Sequence, residues 1–240
     1  LSDLIALRSD GKIIAARAQQ TGCVLSEFTP LTDTLPISTN PFLAVGDLNG
    51  DGAMDLAVRG EGGVRVLLQR QDLAGKPLGT FDALGDVPVP PGTVSGQMAI
   101  GEFRSKGQPE LMVSLQPPTG NSLLYAIGLS SDRRTLVGSD TMSNTLLKAT
   151  ALSSGDFNRD GLQDVVLIDK VTELVSVTTW RTPAAPNTRA YYVGHAPAAV
   201  AIGPLDGDDL PDLAFAVQIG SMPGLVALSV AYAMPAATLK

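Results

Sequence analysis

Short apolar runs alternate along this chain with compact clusters of glycine, aspartate and proline. Leu43-Ala-Val45 leads into Gly46-Asp-Leu-Asn-Gly-Asp-Gly-Ala-Met-Asp55, which leads into Leu56-Ala-Val58. Short β-rich runs bounded by glycine turns predict all-β structure, and no window combines helical periodicity with caps. The clearest copy of the pattern predicts strands Phe42–Asp47, Asp55–Arg59 and Val64–Gln69, with a weaker fourth near Leu78–Leu84. The next copy predicts Gln97–Phe103, Glu110–Leu115, Ser122–Gly128 and Thr135–Gly138. Ala149–Phe157, Asp164–Asp169, Glu173–Trp180 and Ala190–Val193 follow, then Ala198–Leu205, Asp212–Val217 and Leu225–Ala231. An earlier, shorter copy reads Asp3–Arg8, Lys12–Arg17 and Cys23–Phe28. The first two strands of each unit are nearly continuous in apolar residues, which predicts burial on both faces.

The polar loop between those two strands is the ruler of the chain. In the first intact loop, oxygen-bearing side chains stand at positions 1, 3, 5 and 9: Asp47, Asn49, Asp51 and Asp55. Asp156, Asn158, Asp160 and Asp164 repeat the arrangement, with Gly52 and Gly161 at position 6. A third loop keeps Asp206, Asp208 and Asp212 but has Pro204 at position 1, so its site is weakened or rebuilt around Asp209. In Gly101–Glu110 the frame survives with Arg104 and Lys106 at positions 3 and 5. There the two cations are expected to stand in place of a metal, paired with Glu102 and Glu110. The ninth positions, Asp3, Asp55, Glu110, Asp164 and Asp212, are spaced by 52, 55, 54 and 48 residues. A period near 50 belongs to propeller blades and is half the length of a β-sandwich domain. The expected fold is therefore all-β, a β-propeller of four-stranded blades with four to five repeats visible and an incomplete ring. Approximate blades are 1–37 (partial), 38–92, 93–145, 146–196 and 197–240. The chain begins mid-repeat, so a missing first strand is expected to precede Leu1 or to come from elsewhere.

Carboxylates this crowded repel one another unless a hard cation sits among them. Ca²⁺ takes six to eight oxygens at roughly 2.3–2.6 Å, and glycine at position 6 permits the tight turn such a loop needs. Two Ca²⁺ sites are expected and a third is possible. An EF-hand or dockerin-like loop is excluded, because its twelfth position needs an acid and here holds Val58 and Leu167.

Charge and composition agree. The net charge of −7 argues against nucleic acid and anionic membrane surfaces. The acidity is clustered in the loops; two Ca²⁺ would bring it to −3 and three to −1. No stretch reaches about 18 uninterrupted apolar residues, so direct membrane insertion is not expected. The single cysteine, Cys23, excludes an intrachain disulfide and is read as a small buried residue.

Catalytic chemistry finds little to work with. The single histidine, His195, reads as a loop residue, and no nucleophile elbow, phosphate loop or dinucleotide fingerprint occurs. Trp180 and Tyr191-Tyr192 are candidate aromatic binding residues, with packing the commoner use of such groups.

Loops of the form Asp-x-Asn-x-Asp-Gly-x-x-Asp between apolar strands resemble the FG-GAP and VCBS repeats of integrin-α-type β-propellers. No Phe-Gly or Gly-Ala-Pro sequence occurs, so the bacterial VCBS-type repeat is the better match. The resemblance implies that Asp47, Asn49, Asp51, Asp55 and the Ala53 carbonyl hold one Ca²⁺. Asp156, Asn158, Asp160, Asp164 and the Leu162 carbonyl would hold a second. It also implies a secreted or cell-surface, non-enzymatic module for adhesion or for protein or glycan recognition, part of a longer chain or assembly. The alternative is an accessory propeller of a larger secreted, polysaccharide-active enzyme. Calcium modules outside the cell commonly bind at about 10⁻⁴–10⁻³ M, which suits either role.

Overall fold

The computed structural model describes residues 4–16, 28–31, 42–60, 63–87, 94–144, 148–180, 186–193, 196–203, 205, 211–218 and 226–231. Every regular element among them is a β-strand, and no helix is long and apolar enough to cross a membrane. The first sheet contains β1 (Leu4–Leu7), β2 (Ile13–Ala16) and β3 (Thr29–Pro30). The second contains β4 (Leu43–Gly46), β5 (Asp55–Gly60), β6 (Gly63–Gln71) and β7 (Pro77–Asp86). The third holds β8 (Val94–Gly101), β9 (Glu110–Gln116), β10 (Leu123–Leu129) and β11 (Leu136–Asn144). The fourth holds β12 (Ala151–Gly155), β13 (Asp164–Asp169), β14 (Leu174–Trp180) and β15 (Pro186–Tyr192). The fifth holds β16 (Pro197–Gly203), β17 (Asp212–Gln218) and β18 (Val226–Ala231). Within each sheet, strands follow chain order and consecutive strands pair antiparallel.

One expectation needs correction. The first strand of a unit is not buried on both faces: β12 is half-buried throughout, whereas β13 is buried at all six positions. The reason is sheet order. The first strand lies at an edge of its sheet, whereas the second, like the third of a four-stranded sheet, has a neighbour on each side. The third strand of the first sheet is Thr29–Pro30, and of the expected Cys23–Phe28 only Phe28 lies within the described residues. Cys23 itself lies outside the described residues.

The chain forms two compact units, residues 1–89 with 129–137, and residues 90–128 with 138–240. In the first unit, Ile5, Leu7 and Ile13 pack on Leu56, Val58, Leu67 and Phe81, so the first two sheets share a core. In the second unit, β13 shows why its sequence is continuously apolar. Val165 and Leu167 face Met112 and Leu124 of the third sheet and Phe103 of its first loop, while Val166 and Ile168 face Phe215 and Val217 of the fifth. At about 25 cal/mol per Å² of buried apolar surface, such two-sided burial makes β13 a large contributor to its unit's core. Trp180 lies in the core between the third and fourth sheets, edge-on to Phe103 at 6.1 Å between ring centres. It is a packing residue and forms no surface platform with Tyr191 and Tyr192, both of which are exposed.

Candidate functional site

The two intact acidic loops connect β4 to β5 and β12 to β13, and they fold almost identically. Position 6 is left-handed in both, at φ 87° for Gly52 and 82° for Gly161, and again at Gly107 in the basic loop, φ 71°. A residue with a Cβ is strained there, which explains the glycine. Position 4 is left-handed as well: Gly50 adopts φ 71° and Arg159 adopts φ 58°.

That backbone points a series of N–H groups at the acidic side chains. Asp47 accepts from the amides of Gly50, Asp51 and Gly52 at 2.7–3.0 Å, and Asp156 accepts from Asp160 and Gly161. Asn49 and Asn158 each accept from the position-5 amide at 2.9 Å. Asp51 and Asp160 each accept from the position-7 amide at 2.8 Å. These Asx turns hold positions 1, 3 and 5 on the exposed side of the loop. Ala53 is buried and Leu162 half-buried at the base.

Position 9 behaves differently. Asp55, Asp164 and Asp212 are all buried, at 0–1% exposure, and each accepts from the position-2 amide. The donors are Leu48 at 2.9 Å, Phe157 at 2.9 Å and Leu205 at 2.7 Å. The third loop therefore keeps this clasp, while Asp206, Asp208 and Asp209 lie outside the described residues, as does His195. Burial pushes Asp55 up to about 6. It pushes Asp164 up to about 7, helped by the like charges of Asp160 and Asp156.

The two clasps are not equivalent. Asp55 Oδ1 accepts from the Gln69 amide at 2.8 Å, beside a bulge in the β6–β7 pairing. Asp164 Oδ1 is buried with no hydrogen-bond partner among the described residues. A buried carboxylate oxygen left unpaired costs about 1–3 kcal/mol or more, so its environment calls for a donor or a cation.

The basic loop corrects the expectation for its charges. Arg104 pairs with Glu110 through both Nε and Nη2, a forked contact at partly buried groups. Lys106 turns away and lies over Gly161 of the second acidic loop, where any side chain would collide with its Nζ. Glu102 contributes its backbone carbonyl, which accepts from the Gln163 amide at 2.6 Å. Among the described residues neither Lys106 nor Glu102 enters an ion pair. The first acidic loop has its own visitor: Arg133, at φ 54°, donates to the Asn49 and Gly50 carbonyls. Neither visiting cation is announced by the loop sequences, because each comes from a different turn.

Ca²⁺ demands many oxygens, and the loops supply them in carboxylates, amides and carbonyls. As folded, however, the side chains are turned onto loop amides, and among the described residues no group of three or more His, Cys, Asp or Glu is gathered closely enough to hold a metal. The donor chemistry fits a hard cation, and the unpaired Asp164 Oδ1 fits it best. Holding one requires the carboxylates of positions 1 and 5 to bring their remaining lone pairs together.

No family model matches the chain. No curated protein matches it either. Among solved structures, it is similar to a chain in the crystal structure described as BBS1N in complex with ARL6DN, soaked with lead, at 13% identity. That match has a TM-score of 0.40 and covers 90% of this chain and 75% of the other.

Proposed function

We propose that this protein is a β-propeller of the FG-GAP/VCBS kind, stabilised by Ca²⁺ in its acidic loops and acting outside the cell as a non-enzymatic recognition module. The propeller reading draws support from sheets that follow chain order and pack face to face on their sequence neighbours within each unit. One observation carries the calcium reading: Asp164 Oδ1, buried and unpaired at the base of a loop whose other acids face the same turn. Cation binding there would neutralise repelling carboxylates and, by mass action, add its free energy to folding. The sequence carries no nucleophile elbow, phosphate loop or dinucleotide fingerprint, which favours recognition as the role.

A thermal melt in 2 mM Ca²⁺ (a concentration of the order expected for extracellular modules, ~10⁻³ M) and in chelator tests this directly. The melting temperature should be higher with Ca²⁺, and Mg²⁺ at equal concentration should give a smaller rise. Equal melting temperatures in all three would refute the calcium reading.

A further inference from the structure

The search for a ligand surface leads to a cavity of about 370 Å³ beside the first acidic loop, entirely within the first unit. Its size is within the range of about 300–1,000 Å³ typical of small-molecule sites. Leu67 and Phe81 face the core shared with the first sheet, so Leu68, Arg70, Asp82 and Leu84 take the opposite face of the β6–β7 hairpin. Buried Leu68 and half-buried Leu84 are the apolar members of a mostly polar lining. Arg70 and Asp82, 3.7 Å apart, form one wall. Gln71 is held by two bonds from its Nε2 to Asp51, at 2.7 and 3.0 Å, and its amide oxygen accepts from no described donor.

Asn49 and Asp51 of the acidic loop and Gln69 also line the cavity, as does Arg134, whose position is built. The turn that carries it is organised by Asp132, whose carboxylate accepts from the Arg134 and Thr135 amides and from the Ser130 and Thr135 hydroxyls. Arg133 then anchors the same turn on the Asn49 and Gly50 carbonyls. The Arg134 guanidinium has no ion-pair or hydrogen-bond partner among the described residues.

We infer that this cavity binds a single acidic saccharide unit, a uronic-acid type ring. A guanidinium fork recognises one carboxylate in two parallel bonds. The Gln71 amide oxygen takes a donor, and Asp82, paired with Arg70, keeps lone pairs for another; sugar hydroxyls provide both. Leu84, half-buried in the lining, meets the C–H groups of the ring. A simple carboxylate would satisfy Arg134 but bring no donors to Asp82, and a neutral sugar would leave the guanidinium unmatched.

The assignment rests on the recognition reading above and names its ligand class. Its test is an NMR titration of the full chain in Ca²⁺ with D-glucuronate, D-glucose and acetate, read at the Leu68 and Leu84 methyls. Glucuronate should shift both methyls saturably, with glucose and acetate weaker. Arg134→Ala should weaken glucuronate by at least about tenfold, the loss expected for a charged hydrogen-bonded pair. Arg134→Lys should fall between, and both variants should keep the parent melting temperature. Glucose or acetate binding as tightly as glucuronate would overturn the inference, as would no saturable shift or an unaffected Arg134→Ala. Melts of the same samples with and without Ca²⁺ separate the two failures: a calcium shift without sugar binding defeats only the saccharide site.

Discussion

The two acidic loops share four ligand-type side chains, one backbone and one set of turn bonds, yet they end differently. At the first, Asp55 is capped on both oxygens, by Leu48 and Asn49 on one side and Gln69 on the other. At the second, Asp164 keeps one buried oxygen unpaired, with Lys106 of the preceding basic loop resting on Gly161. The first loop is therefore nearly complete as a polar turn, while the second carries an unmet electrostatic demand. What separates them is the neighbouring strand: β6 has a bulge that frees an amide, whereas β14 ends at Trp180 paired opposite Pro186.

The largest break in this comparison comes from the loop with arginine at position 3. Arg104→Met should destabilise the protein by about 1–3 kcal/mol, because it strands Glu110, which is 7% exposed, beside no partner. Urea unfolding measures this, and the loss should be the same with Ca²⁺ as with chelator. A loss cancelled by Ca²⁺ would mean that this loop can still take an ion.

Acidity should distinguish the calcium-bound from the calcium-free protein. Asp164 near 7 and Asp55 near 6 stand above the ordinary carboxylate value of 3.8, so between those values the folded chain holds protons that the unfolded chain has released. Their contribution in chelator is full below about pH 4 and is lost as pH rises through 6 to 7. Stability in chelator should therefore rise on acidification from pH 7.5 to 5. In Ca²⁺ the same acidification should erode the calcium increment, so the two curves converge. Melting curves across this range check both trends; parallel curves would contradict them.

A smaller effect is expected from Lys106→Ala. Removing an ammonium from the rim of the second loop should tighten its Ca²⁺ binding by about two- to fivefold, the scale of an exposed charge interaction, and less so at high salt. Calorimetric titration reads it, and the first loop should be unaffected.

Much of this was legible in the chain. The Asp47–Asp55 frame located the turn, its left-handed glycine and the strands on either side, because each rests on local rules of spacing and backbone freedom. The outer strands were less legible: β15 begins at Pro186 where only Ala190–Val193 reads as a strand, since an exposed edge carries little apolar periodicity. The partners of Lys106 were illegible for a different reason. Gly161 is 55 residues away in sequence, and a charge run does not state which neighbour it will meet. Position 9 was read as a fourth ligand like the others. Its burial and its bond to the position-2 amide make it first a clasp, and only at Asp164 a clasp with an oxygen to spare.

That spare oxygen gives the most direct test. Asp164→Asn and Asp55→Asn should be melted beside the parent in Ca²⁺ and in chelator. Asp164→Asn should melt higher than the parent in chelator, because it removes an unpaired buried charge, and should lose the larger part of the calcium-induced rise. Asp55→Asn should lose the smaller part. If both variants keep the parent's full calcium response, or if the parent has none, the acidic loops are polar turns and not calcium sites.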